Sequence, residues 1–195
     1  TPHYLIGGTT GSGKSNLLHN LIVSACWNYS PDEVRVYLLD FKEGVEFNQY
    51  AMAAPYSLPH AALVATEADT EYGVTVLHHL DEELSRRAKI FKQESCKDIC
   101  AYRVKNPNNL MPRIIAVIDE FQVLFDSEQK FKTLERMTRI AKQGRSAGVH
   151  LILATQSLKG LSDFSAIATQ FSGRIALKCA AEDSKLLLGG IASNN

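Results

Sequence analysis

Tyr4-Leu5-Ile6-Gly7-Gly8-Thr9-Thr10-Gly11-Ser12-Gly13-Lys14-Ser15-Asn16 runs without a break from an apolar segment through a glycine-rich turn into a helical pattern. Residues 8–15 fit the spacing G-x-x-x-x-G-K-[ST]. Glycines at 8, 11 and 13 let the backbone turn tightly and aim its N–H groups inward. The helix that starts near Lys14, with Leu17, Leu18, Leu21 and Ile22 on its inner side, adds the positive end of its dipole. Such a turn cradles phosphate. ATP with Mg2+ is the implied ligand, held by Thr10, Gly11, Ser12, Gly13, Lys14, Ser15 and Asn16. Lys14 is expected to reach the β- and γ-phosphates and Ser15 to ligate the metal.

Two further strand ends point to the same chemistry. Ile114-Ile115-Ala116-Val117-Ile118-Asp119-Glu120 delivers two acids at the end of a buried run, the edge at which open α/β sheets bind their ligands. Asp119 is the candidate holder of the magnesium shell, through water. Glu120 is the candidate catalytic group, orienting and polarising the attacking water. Leu151-Ile152-Leu153-Ala154-Thr155-Gln156 is another apolar run with a polar residue just beyond it, so Gln156 is a candidate sensor of the γ-phosphate; the alternative is an amide that caps Ser157. Arg145 and Arg174 are candidates to reach a neighbouring subunit's ATP, because an arginine finger stabilises transition-state charge and is often given in trans. The alternative for each is a local pairing.

Around these motifs, apolar runs alternate with helical patterns, the signature of an α/β fold with a mostly parallel sheet flanked by helices on both faces. Strands are expected over residues 4–6, 34–39, 61–65, 114–118 and 151–154, with a sixth over 174–179. Their density in Val, Ile and Leu suits strands covered on both sides. Helices are expected over about 71–92, with Tyr72, Val76, Leu80, Leu84, Ala88 and Phe91 inward, and over about 128–143, with Phe131, Leu134, Met137 and Ile140 inward and a stop at Gly144 and Gly148.

The chain has 195 residues, 45% hydrophobic and 22% charged, which suits one globular domain. Lys plus Arg equals Asp plus Glu at 21 each, so no overall basic excess advertises nucleic acid or membrane, and any such contact must be local. The longest apolar runs are far too short to cross a bilayer. Cys26, Cys96, Cys100 and Cys179 lack metal-ligand spacing and read as reduced thiols; His78-His79 and the Cys96/Cys100 pair find no third or fourth ligand at suitable spacing. A start without Met and an end without a closing element suggest a piece of a longer chain.

The stretch Pro2-His3-Tyr4-Leu5-Ile6 with the loop after it resembles the FtsK/SpoIIIE family of RecA-like motors. The likeness extends through Leu38-Leu39-Asp40-Phe41-Lys42 with Glu46 and Tyr50, Pro59-His60, Val64-Ala65-Thr66, Glu83-Leu84-Ser85-Arg86-Arg87, Asp98-Ile99-Cys100-Ala101-Tyr102 and Val117-Ile118-Asp119-Glu120-Phe121. Residues 140–156, with Gly144-Arg145-Ser146-Ala147-Gly148-Val149-His150 inside, carry its most specific part. The resemblance implies a RecA-like P-loop NTPase core and a homo-oligomeric ring, a hexamer. In such a ring ATP sits between subunits and hydrolysis moves a polymer, usually double-stranded DNA. It also implies a cytoplasmic domain of a membrane-anchored protein. One departure is Asp183-Ser184-Lys185-Leu186-Leu187, where family members often carry arginine for Lys185; lysine cannot reproduce a bidentate fork. Residues 41–47, Phe-Lys-Glu-Gly-Val-Glu-Phe, look closer to the DNA-handling branch, so double-stranded DNA is the preferred polymer, with Lys42 and Lys159 as candidate pore contacts. A protein substrate of a type VII secretion system is the alternative.

Overall fold

Six strands form one sheet: β1 (Tyr4–Gly7), β2 (Val34–Asp40), β3 (Ala61–Ala65), β4 (Arg113–Asp119), β5 (Val149–Thr155) and β6 (Gly173–Ala176). Their order is β3-β2-β4-β5-β1-β6 and every pairing is parallel. The computed structural model describes residues 2–42, 46–51, 57–66, 69–126, 128–159, 161 and 168–189. Parallel strands need crossovers, and the helices that supply them cover both faces. On one face α1 (Lys14–Asn28) buries Leu18 and Ile22 against Ile6, Val36, Leu38, Val117, Ile152 and Ala154. On the other, α2 (Thr70–Gln93), α4 (Lys130–Ala147) and α5 (Ala181–Leu188) bury Leu77, Leu80, Leu84, Met137, Ile140 and Leu187 against Leu5, Leu39, Ile114, Ile118, Leu151 and Leu153. Neighbours in sequence, such as Val117 and Ile118, thus enter opposite layers, and each fully buried Leu or Ile contributes about 1.5–3 kcal/mol. The short α3 (Ile99–Lys105) adds a small cluster in which Ile99 and Tyr102 meet Phe91 and Met111.

All six expected strands are present; the differences lie at their ends and on the helix faces. The sixth ends at Ala176 rather than at 179, because the Lys178 carbonyl accepts hydrogen bonds from both the amide and the hydroxyl of Thr9, at 2.9 Å each. On α1, Leu18 and Ile22 are buried while Leu17 and Leu21 are only partly so. On α2, Tyr72 and Ala88 face solvent. Gly73 and Arg87 occupy the inner face instead. A Cβ on Gly73 would lie 2.4 Å from the Phe41 ring, so a side chain there would clash with the residue that follows β2. Arg87 is buried at 2% exposure because each nitrogen of its guanidinium has an acceptor. Nε donates to Glu83 Oε1 at 2.7 Å, Nη1 to the Ala147 carbonyl and Nη2 to the Pro112 carbonyl, both at 2.8 Å.

Helix α4 runs past Gly144, the first of the two expected stops, and ends at the second, Gly148. Gly144 is inside it, and a Cβ there would come within 2.2 Å of the Val149 carbonyl oxygen, so this glycine serves close packing of helix on strand. The chain turns out of the helix at Gly148, in the left-handed conformation at φ 73°. Phe131 is 69% exposed, and Thr133 takes the inner position instead.

At the start of β1 the fully buried His3 accepts a hydrogen bond at Nδ1 from the Leu151 amide, 3.0 Å away, and packs beside His150 and Phe171. Burial, with the nearby His150 second, lowers its pKa from the ordinary 6.5 to about 4. The sign follows from linkage: above about pH 6.5 neither state is protonated, whereas between 6.5 and about 4 only the unfolded chain binds the proton. Stability is therefore lost as pH falls through that window. The urea midpoint is expected to drop between pH 7 and pH 5, and by less in a His3→Asn variant, whatever its absolute stability. An equal drop in both proteins would remove His3 as the source.

Candidate functional site

The strand order brings the carboxyl ends of β2, β4, β5 and β1 side by side, with Asp40 in register with Asp119 and Gly7 with Thr155. Loops from these four ends line a cleft of about 340 Å3 formed by Thr9, Thr10, Gly11, Gly13, Lys14, Ser15, Asn16, Lys42, Glu46, Asp119, Glu120 and Gln156. Every expected nucleotide contact except Ser12 is among its walls. The Ser12 hydroxyl lies buried behind the loop with no partner among the described residues. Gly11 and Gly13 adopt φ 77° and 90°, which a side chain would strain. No side chain caps α1, and its first turn carries no acid. Its leading N–H groups, without intrahelical acceptors as at any helix start, thus lack a side-chain acceptor as well, and phosphate oxygens would supply what is missing. The residues fit the ligand.

Lys14, 6% exposed, reaches across the end of β5. Its Nζ donates to Asp119 Oδ1 at 2.6 Å and to Glu120 Oε1 at 2.5 Å. The acids respond differently. Burial pushes the Asp119 carboxyl above its usual range despite the Lys14 charge. Burial also acts to raise Glu120, but hydrogen bonds from Lys14 and Gln122, the Lys14 charge and the Gln156 amide outweigh it and leave Glu120 below the usual range. At neutral pH Glu120 is thus held as an anion, the form needed to accept a proton.

Glu120 also sits in the left-handed conformation, φ 52° and ψ 44°, immediately after β4. For a residue with a Cβ that costs about 1–2 kcal/mol. The turn is held by Glu120 N donating to Asp119 Oδ1 at 3.0 Å, by Gln122 Nε2 donating to Glu120 Oε2 at 2.7 Å and by Gln156 N donating to the same oxygen at 3.1 Å. It keeps the carboxylate in the cleft instead of letting the chain continue straight. Gln156 does face the phosphate loop: its Oε1 accepts from the Thr10 hydroxyl at 3.1 Å. The cap on Ser157 is supplied by Thr155, whose Oγ1 accepts the Ser157 amide at 3.1 Å.

The two arginines are elsewhere. Arg174 donates through Nε to the Phe171 carbonyl, through Nη1 to Leu187 and through Nη2 to Ala168, at 2.9, 3.1 and 2.6 Å, so it is committed to its own subunit's backbone. This is the local pairing that the sequence left open for it. Arg145 is exposed on the last turn of α4, in a cleft with Pro2, Arg113 and His150 at the opposite ends of the strands. It cannot meet the nucleotide loop of its own chain. Lys42 faces the cleft, and Lys159 is exposed beyond β5.

Three participants were not assigned roles from the residues. Asp40, 1% exposed, accepts the amides of Lys42 at 2.8 Å and Glu46 at 3.1 Å. Burial raises its pKa, partly offset by these two hydrogen bonds. Glu46 accepts the Ser15 hydroxyl at 2.7 Å. Asp183, 4% exposed, accepts from the Leu158 amide at 2.9 Å and the Ser157 hydroxyl at 3.2 Å, tying α5 to the loop after β5. The readable signal was the strand-end acid, since Asp40 ends β2 as Asp119 ends β4.

The model of the FtsK/SpoIIIE family matches residues 1–160. The chain belongs to the FtsK/SpoIIIE family. This FtsK/SpoIIIE chain is 34% identical over 195 residues to the ESX secretion system protein YukB of Bacillus subtilis, covering 96% of its own length and 12% of that protein. It is 32% identical over 166 residues to the type VII secretion system protein EssC of Staphylococcus aureus, covering 83% of itself and 11% of EssC. Among solved structures, the cytoplasmic domain of the Thermomonospora curvata type VII secretion ATPase EccC superimposes with a TM-score of 0.83 at 30% identity, over 96% of this chain and 22% of that one. The FtsK/SpoIIIE domain therefore has the fold of a P-loop ATPase. These relatives, named for type VII secretion, favour the alternative over the double-stranded DNA preferred from residues 41–47, of which 43–45 lie outside the described residues. No helix among the described residues is long and apolar enough to cross a membrane.

Proposed function

We propose that this domain binds and hydrolyses Mg-ATP and is the motor of a type VII secretion ATPase that drives export of a protein substrate. The observation that carries the secretion reading is the likeness to YukB and to the EccC cytoplasmic domain over nearly the whole chain. Support for hydrolysis comes from the cleft, where an uncapped helix end, a buried lysine and two strand-end acids converge. An arriving triphosphate competes with Asp119 and Glu120 for the Lys14 ammonium. Thr10, Gly11, Gly13 and Asn16 complete the cradle around the phosphates. Ser15 and Asp119, the latter through water, would hold Mg2+, which neutralises charge on the phosphate oxygens. Glu120 orients the attacking water and accepts its proton, and Gln156 reports the terminal phosphate to the loop it contacts.

Arg145 is the finger we assign in trans, because only another subunit or module can bring a nucleotide to its end of the strands. Self-association in a hexameric ring, which the family resemblance implies, is the arrangement in which this assignment would operate. By analogy with EccC the domain is cytoplasmic within a membrane-anchored protein. The test is a Lys14→Ala substitution in the cell's own copy, read by mass spectrometry of exported proteins, with ATP turnover of the purified protein measured with and without duplex DNA. Loss of a defined set of exported proteins, with no stimulation by DNA, is expected. Unchanged export together with strong stimulation by duplex DNA that disappears at high salt would restore DNA translocation.

A further inference from the structure

We propose that Glu46 is a positioning residue for magnesium, acting through the Ser15 hydroxyl. A serine hydroxyl has one proton to donate and two lone pairs to offer. Here the proton is already directed: Ser15 Oγ donates to Glu46 Oε1 at 2.7 Å. With its proton turned to Glu46, the oxygen's lone pairs are left for a cation in the cleft that both residues line. Glu46 adds a full negative charge beside that position. A carboxylate behind a metal-ligating group raises both its orientation and its donor strength, and losing such a partner typically costs 10–100-fold in metal affinity.

The carboxylate is itself held. Its own amide donates to Asp40 Oδ2 at 3.1 Å, and the other Asp40 oxygen takes the Lys42 amide at 2.8 Å, so the buried strand-end acid holds the backbone at both Lys42 and Glu46. On its far side Glu46 Oε2 lies 3.5 Å from His19 Nε2, and the His19 ring contacts Tyr50 Oη at 2.8 Å through Nδ1. The chain Asp40–Glu46–Ser15 thus runs from the end of β2 to the first turn of α1.

This inference rests on the Mg-ATP reading of the cleft, and its test separates the two. ATP is titrated calorimetrically into the protein, Glu46→Ala and Glu46→Gln, once in EDTA and once in saturating Mg2+. Expected are equal Kd values in EDTA for all three proteins. In Mg2+, Glu46→Ala should bind 10–100-fold more weakly than the parent, with partial recovery in Glu46→Gln, which keeps the acceptor and loses the charge. Unchanged or tighter binding by Glu46→Ala in Mg2+ would show that Glu46 merely blocks the site, and equal weakening in both buffers would show a collapsed loop; either overturns the proposal. If Glu46→Ala does not fold, an undiminished Mg2+ effect in Glu46→Gln overturns it. Absence of binding by the parent protein in both buffers fells the Mg-ATP reading first, and this inference with it.

Discussion

Lys14→Ala should lose Mg-ATP binding and turnover by at least about 10²–10³-fold, the scale on which removal of a preorganised donor to phosphate-type charge acts. The structure adds a second expectation. The Lys14 ammonium is what allows Asp119 and Glu120, at 2% and 5% exposure, to lie together in one cleft. Removing one partner of a buried ionic cluster costs about 3–5 kcal/mol when the remaining charge stays unpaired. The variant should therefore melt at a lower temperature than the parent even without nucleotide. That deficit should shrink as pH falls into the carboxyl range, because a protonated acid costs far less to bury than an ionised one. A variant that lost ATP binding yet melted like the parent at pH 8 would show that Lys14 does not hold the two acids in solution.

Glu120→Gln should separate binding from chemistry. The amide keeps an oxygen for Lys14 and nearly the same shape at the left-handed turn, so Mg-ATP should still bind with a Kd close to the parent's. Turnover should fall by about 10²–10⁴-fold, the usual contribution of a placed general base. Single-turnover measurement is the appropriate check, since it isolates the chemical step from product release. Parent-like turnover would remove Glu120 from the base role and leave Asp119 as the acid to examine.

Much of this site was legible in the chain because its parts are local. An apolar run that ends in Asp119-Glu120, and a glycine turn that enters a helix at Lys14, are each written within a dozen residues, and strand order then brings them together. What was not legible depends on contacts between distant segments. Glu46 meets Ser15 across 31 positions, and no spacing rule announces such a pair. Arg174 looks free in sequence, but the turn before β6 and the end of α5 supply three carbonyls for it. Gly144 reads as a helix stop, and only the approach of Val149 shows why a helix would carry it inside. Phe131 fits an inward stripe by period, yet Thr133 and Met137 set the face that meets α2 and the sheet. The polymer was the least accessible of all, because the same phosphate chemistry drives motors on different substrates.

The central claim is that one cleft at the carboxyl edge of the sheet grips a triphosphate and its metal. It is tested most directly by calorimetric titration of the folded protein with Mg-ATP. The account predicts saturable binding at one site per chain, weakened when EDTA replaces Mg2+ and abolished by Lys14→Ala. A flat titration up to millimolar nucleotide, with no rise in melting temperature, would contradict it.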